Sequence, residues 1–208
     1  MFESFILAGG KSSRMKRNKA LLKLERKTLV EHSIAALQDI NSPQISIVVA
    51  ESSSQFEGLP KNIKIISDIC KNRGTLGGIH SALAHCQEKY TLIFACDYPF
   101  VSGKLLNYLL EAGANNRFDC VTPVQKDGIP QPLCTLYKTK KCLRALTAIL
   151  EESGKTPSAR NFLKQINTKF IEFEEYAALP NSDYFFMNVN TPQDFERALE
   201  IKHLLDEK

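Results

Sequence analysis

Two stretches of this 208-residue sequence carry residue types suited to one chemistry, the handling of phosphate groups. The first is Leu7-Ala8-Gly9-Gly10, followed at once by Lys11-Ser12-Ser13-Arg14-Met15-Lys16-Arg17-Asn18-Lys19. Two glycines let a backbone approach a ligand closely, and consecutive N–H groups with hydroxyls beside them offer donors to anionic oxygens. Arg14 and Lys19 add the positive charge that a polyphosphate needs. The second stretch is Phe94-Ala95-Cys96-Asp97-Tyr98-Pro99, an acid directly after a strongly apolar run. A carboxylate in such a place suits Mg²⁺ held against nucleotide phosphates. The competing reading of Asp97 is a turn-initiating or helix-capping acid, a common use of Asp-x-Pro. Neither the Walker pattern G-x-x-x-x-G-K-[ST] nor the dinucleotide fingerprint G-x-G-x-x-G occurs.

The charge distribution agrees with an anionic ligand held at one place. The formal net charge is only +4, but residues 11–27 hold eight basic side chains against one acid, Glu25, a local +7 that leaves −3 for the rest. A basic segment on an otherwise acidic chain points to a localised anion; the alternative is a solvated basic face. Nucleic acid is a poor candidate, because no aromatic residue interleaves the basic ones between Lys11 and Lys27. Lys23, Arg26 and Lys27 are expected on a solvated turn.

Chemistry that other classes require is missing. No two of the six cysteines stand two to four residues apart, which excludes a zinc knuckle or a C-x-x-C redox pair. Reduced thiols are expected, with Cys96 a small core residue. The four histidines form no H-E-x-x-H motif, and none reads as a metal ligand or catalytic base. The longest apolar runs are far too short to span a membrane, and the acidic start does not resemble a secretory signal, so a cytoplasmic location is expected.

The elements that must position these residues follow from hydrophobic periodicity. Apolar strand-like runs at 5–8, 45–50, 63–67 and 91–96 alternate with helical periods at 28–40, 79–87 and 102–114; residues 68–78 read as a polar, Gly-rich loop. Thr28 with Glu31 three residues on suggests a capping box. Such alternation predicts an α/β fold with a mainly parallel sheet covered on both faces. Runs at 119–124 and 133–137 flank the turn Lys126-Asp127-Gly128 and predict a hairpin excursion. Helices at 140–152 and 158–166, a strand at 169–173 and a last helix opened by Thr191-Pro192 complete the chain. No linker or repeat divides it, so a single domain over 1–208 is expected. In an open parallel sheet ligands bind beyond the carboxyl ends of the strands, which is where Gly9 and Asp97 both fall.

These residues resemble a known family. Residues 7–19 are similar to the L-A-G-G-x-S-x-R-M-G-x-x-K signature of the molybdenum cofactor guanylyltransferases. Gly74-Thr75-Leu76-Gly77-Gly78, Cys96-Asp97-Tyr98-Pro99, Gln131-Pro132-Leu133 and Asn188-Val189-Asn190-Thr191-Pro192 agree in order and spacing. The resemblance implies a Rossmann-like three-layer nucleotidyltransferase fold. The implied reaction moves GMP from GTP to the phosphate of molybdenum-molybdopterin with Mg²⁺ and releases pyrophosphate. By motif matching, Leu7, Ala8 and Gly9 would line the nucleotide and Lys19 would contact phosphate. Asp68 would sit in the GTP pocket, Asp97 would hold Mg²⁺, and Asn188 and Asn190 would complete the metal or pterin side. Arg14, Lys19 and Asp97 form the expected catalytic set. The implied partners are GTP, molybdenum-molybdopterin and proteins that load and deliver the cofactor; a monomer is expected.

Two departures stand out: Lys16 replaces the family's Gly after Arg-Met, and Ala50 stands where some relatives carry a polar residue. The rivals are a sibling enzyme using CTP or a sugar phosphate and an inactive relative that still binds nucleotide or pterin. Gly9 weighs against the siblings, which more often show L-A-A-G.

Overall fold

In the computed structural model, residues 1–9, 18–50, 56, 58–70, 72–152 and 156–207 are described. Four strands carry the parallel half of the sheet: β1 (Phe2–Leu7), β4 (Ile45–Val49), β5 (Lys64–Ser67) and β6 (Tyr90–Ala95). They pair β5-β4-β1-β6, with Leu7 in register with both Val48 and Ala95. Beyond β6 the direction reverses. β8 (Cys134–Lys138) runs antiparallel to β6 and to β7 (Cys120–Pro123), and β9 (Thr168–Ile171) lies parallel to β7 at the edge. Because β8 opposes both its neighbours, β6, β7 and β9 point the same way. Their carboxyl ends therefore share an edge with that of β1. The expected mainly parallel sheet with an antiparallel excursion is what forms, although the returning strand is inserted between β6 and β7.

Alternating side chains supply the two faces. Ile6, Ile47, Leu92 and Phe94 pack on one side with α1 (Leu29–Asp39) and α3 (Gly103–Gly113). Phe5, Val48 and Ile93 point to the other, against α2 (Gly74–His85), α4 (Thr139–Glu151) and α5 (Ala159–Gln165). The period of two along each strand makes this division unavoidable. At residues Leu29, Val30, Ile34 and Leu37, α1 turns its apolar stripe inward, and the Thr28–Glu31 capping box forms as expected. No helix among the described residues is long and apolar enough to cross a membrane. The six cysteines are all free, five of them buried.

A third, smaller cluster ties the C-terminal segment to the start of the chain. Leu24, on the two-stranded hairpin of β2 (Lys23–Leu24) and β3 (Lys27–Thr28), is fully buried with Leu29, Phe100, Val189, Ala198 and Ile201. Lys23, Arg26 and Lys27 are exposed on that hairpin, as expected. The hairpin itself was not legible, because its strands are two residues long. The single turn α6 (Phe173–Tyr176) occupies part of the predicted strand 169–173, of which only the first half is extended. The last helix, α7 (Pro192–Asp206), starts as Thr191-Pro192 predicted.

One expectation needs correction. Residues 68–78 are not all loop: α2 begins at Gly74 and takes in Gly77 and Gly78. These glycines serve close packing. A Cβ on Gly77 would stand 2.5 Å from the Cys70 carbonyl oxygen, and one on Gly78 would stand 3.2 Å from the Leu7 side chain. Gly77→Ala is therefore expected to push the 68–70 backbone away from α2, at a cost of about 1–3 kcal/mol. Thermal melting measures that loss, and a raised KM for the nucleotide would report the displaced loop.

Candidate active site

The carboxyl ends of β1, β4, β5 and β6 hold the site together through their own continuing ladders. Ala8 N–H donates to the Val48 carbonyl (3.0 Å), Asp68 N–H to Val49 (2.8 Å) and Cys96 N–H to Leu7 (3.3 Å). Leu7 and Ala8 are half-buried at this edge, and Gly9 is exposed. Glycine suits the close approach at position 9, since a Cβ there would stand 3.0 Å from the Ala50 backbone nitrogen, tighter than ordinary van der Waals contact. Ala50 itself is exposed. Gly10, Lys11, Arg14 and Lys16 lie outside the described residues.

Lys19, Asp97 and Asn190 meet. Lys19 opens a short 3₁₀ turn, Lys19–Leu21, capped by Asn18, whose side-chain oxygen accepts from the Ala20 N–H at 3.1 Å. Its ammonium donates to Asp97 Oδ2 at 2.5 Å and to Asn190 Oδ1 at 2.8 Å. The Lys19 and Asp97 side chains are only 21% and 11% exposed, so this ion pair is largely shielded from water. Asp97 does not act as a helix cap: the residue before α3 is Ser102, and the carboxylate faces Lys19 instead.

Asn190 comes from the far end of the chain, and its position is built in three ways. Val189 is fully buried in the third cluster and donates its N–H to the Asp97 carbonyl at 3.0 Å. Asp194 Oδ2 then accepts from the N–H groups of Asn190 (3.0 Å) and Thr191 (2.9 Å). Partial burial raises the Asp194 pKa, but hydrogen bonds from Asn190 and Thr191 outweigh it and leave the carboxyl below its ordinary value. Asp68 stands apart from this trio. Its Oδ1 accepts from Ser81 Oγ (2.6 Å) and the Cys70 N–H (2.8 Å), and Ser81 Oγ accepts from the Ile69 N–H (3.0 Å). Ser81 of α2 and the end of β5 thus fix Asp68 at the same sheet edge.

The donor set suits a hard divalent cation. Asp97 Oδ1 and Asn188 Oδ1 are buried and have no hydrogen-bond partner among the described residues. An unpaired buried oxygen costs about 1–3 kcal/mol, which a ligand would recover. No cluster of three or more His, Cys, Asp or Glu able to hold a metal occurs among the described residues. A single carboxylate is nonetheless typical for Mg²⁺ that takes its remaining ligands from phosphates and water.

The histidines are occupied elsewhere. His32 faces the Leu24 carbonyl, His80 the Thr147 hydroxyl and His85 the Ser81 carbonyl, while His203 is exposed near Glu25. Of the site's supports, Ser81, Val189 and Asp194 were not anticipated. Only Asp194 left a signal, three residues after the cap residue Thr191.

With this geometry in place, comparison with known proteins decides the family. The family model described as "MobA-like NTP transferase domain" matches residues 4–169. The chain belongs to that family. Like the family's other members it is a nucleotidyltransferase, with the mainly parallel three-layer fold that the motifs implied. It is 32% identical over 202 residues to a probable molybdenum cofactor guanylyltransferase of Clostridium perfringens, covering 96% of each chain. Its structure superposes on that of molybdopterin-guanine dinucleotide biosynthesis protein A from Archaeoglobus fulgidus with a TM-score of 0.80 at 26% identity, covering 98% of this chain and 100% of the other. A 4-diphosphocytidyl-2C-methyl-D-erythritol synthase from Anaerococcus prevotii shares the fold alone, at a TM-score of 0.70 and 11% identity over 97% of this chain and 98% of that one.

Proposed function

We propose that this nucleotidyltransferase acts as one domain and transfers GMP from GTP to the terminal phosphate of molybdenum-molybdopterin. The products are a guanine dinucleotide cofactor and pyrophosphate. The observation that carries this reading is the meeting of Lys19, Asp97 and Asn190 at the edge that ends in Leu7-Ala8-Gly9, with Asn190 standing 171 residues after Lys19.

The chemistry asks little of acid–base groups. The attacking phosphate oxygen is already ionised at neutral pH. It forms a bond to the α-phosphorus as the bond to the bridging oxygen of pyrophosphate breaks, and no proton has to move. The absence of a histidine beside Asp97 among the described residues agrees with this. What the step needs is in-line placement and counter-charge on the α-phosphate and leaving group. In this reading Leu7, Ala8 and Gly9 bring the backbone against the nucleotide, Asp68 faces the nucleoside half, and Lys19 and Arg14 face phosphate. Asp97 Oδ1 would hold Mg²⁺, which supplies charge neutralisation on the phosphates when bound. The likeness to the Clostridium perfringens and Archaeoglobus fulgidus proteins supports guanine over cytosine and molybdopterin over a sugar phosphate.

The test is pyrophosphate release with Mg²⁺, molybdenum-loaded molybdopterin and either GTP or CTP. Release with GTP and little with CTP is the expected outcome. Preference for CTP overturns the guanylyl assignment, and GTP binding without release overturns catalysis.

A further inference from the structure

The motif Gln131-Pro132-Leu133 has no part in the chemistry above, yet it lies beneath the site. Gln131 is 5% exposed, and each of its polar groups is engaged. Its N–H donates to the Pro123 carbonyl (3.0 Å), and its carbonyl accepts from the Thr122 and Thr135 hydroxyls (3.0 and 2.7 Å) and the Cys134 N–H (2.9 Å). Its side-chain amide donates to the Ile129 carbonyl (3.2 Å), which leaves Oε1 to accept from the Tyr98 hydroxyl at 2.9 Å. The Tyr98 hydroxyl is the donor of this pair, because an amide oxygen can only accept. The connection runs from the β7–β8 hairpin into the residue directly after Asp97.

Tyr98 also reaches the other half of the site. Its ring meets Phe186 edge to face, with centroids 5.7 Å apart, and Phe186 stands two residues before Asn188. Val189 N–H then closes the path on the Asp97 carbonyl. Tyr98, Phe186, Val189 and Asp97 thus close a circuit of contacts and chain connections beside Asn188 and Asn190, and Gln131 anchors that circuit through the Tyr98 hydroxyl.

We propose that Gln131 is a positioning residue: through Tyr98 it sets where the Asp97 carboxylate stands relative to Asn188 and Asn190. A side chain buried on all sides and hydrogen-bonded at each polar group has one available pose, and Tyr98 inherits that pose. Supporting groups of this kind orient metal-binding side chains, and their loss typically costs about 10–100-fold in metal affinity or activity. This inference rests on the reading of Asp97 as the carboxylate that holds the divalent ion.

The experiment compares wild type, Gln131→Leu, Tyr98→Phe, the double variant and Asp97→Asn. Mn²⁺ binding is followed by electron paramagnetic resonance in the presence of GTP, alongside kcat, metal-free GTP affinity and melting temperature. Each single variant is expected to weaken Mn²⁺ binding and lower kcat by about tenfold or more, with metal-free GTP affinity unchanged. Each also leaves one buried polar group unpaired and lowers the melting temperature. The double variant removes both partners, so its melting temperature is expected to return toward wild type while Mn²⁺ affinity stays low. Single variants that melt earlier but bind Mn²⁺ and turn over like wild type overturn the proposal, as does recovery of Mn²⁺ affinity in the double variant. If Asp97→Asn binds Mn²⁺ as wild type does, the metal reading itself fails and takes this inference with it. If only Asp97→Asn loses Mn²⁺, the positioning role alone is wrong.

Discussion

Asp97→Ala is expected to slow GMP transfer on the order of 10³-fold, about 4 kcal/mol of transition-state stabilisation, while the protein stays folded. The two halves of this expectation come from different atoms of the side chain. Oδ1, buried without a partner among the described residues, is an oxygen that the fold leaves unsatisfied and a cation would satisfy. Removing it relieves a cost. Oδ2 carries the Lys19 ion pair, and removing it forfeits an interaction that also holds Lys19. The two contributions oppose one another, each about 1–3 kcal/mol. Net stability should therefore move little, and Lys19 retains Asn190 Oδ1 as an acceptor. Single-turnover rates and a melting curve check both parts. Turnover near wild type excludes Asp97 as the residue that organises charge on the phosphates. A protein that no longer folds shows that the ion pair is structural.

How much of this was legible in the sequence depended on the range of the interactions. β1 and β6 were recognisable because a buried parallel strand is a short apolar run, and both of their ends carry unusual residues, Gly9 and Asp97. That both ends fall at one sheet edge followed from the α/β pattern; that β1 and β6 are neighbours required the fold. The Thr28 and Thr191 caps were legible because capping is local, decided within three residues. Gly77 and Gly78 misled, since a glycine pair reads as a loop unless one can see what packs against it. The Cys70 carbonyl that excludes a Cβ at Gly77 and the Leu7 side chain packed against Gly78 are contributed by other segments. The same reason hid Ser81 and Val189. Ser81 looks like any small residue on a helix, and its work on Asp68 depends on α2 crossing the end of β5. Val189 acts through its backbone N–H, which the residue's identity does not announce. Asn190 was found through the family motif; that its partner is Lys19 required the fold.

Lys19→Met should separate the nucleotide from the metal, because its two consequences have opposite signs. In the unliganded protein the Lys19 ammonium occupies Asp97 Oδ2 and Asn190 Oδ1, so it stands where positive charge is wanted before any cation arrives. Replacing it with an apolar chain of similar length leaves a carboxylate with an 11% exposed side chain and no counter-charge among the described residues. The variant is expected to lose about 1–3 kcal/mol without divalent cation, the loss being moderated because the pair is not fully buried. Mg²⁺ should recover that loss, raising the melting temperature of Lys19→Met more than that of wild type. The nucleotide should respond the other way. GTP loses a cation from its phosphates, and kcat/KM should fall about 10²-fold, the effect of removing one preorganised charge-stabilising donor. Thermal melting across a MgCl₂ series, paired with steady-state kinetics, measures both signs on one protein. Equal Mg²⁺ responses in wild type and variant would mean that Lys19 and the cation do not share Asp97. Unchanged kcat/KM would place Lys19 away from the phosphates and leave it a structural counter-ion, held by Asp97 and Asn190 but without a part in transfer.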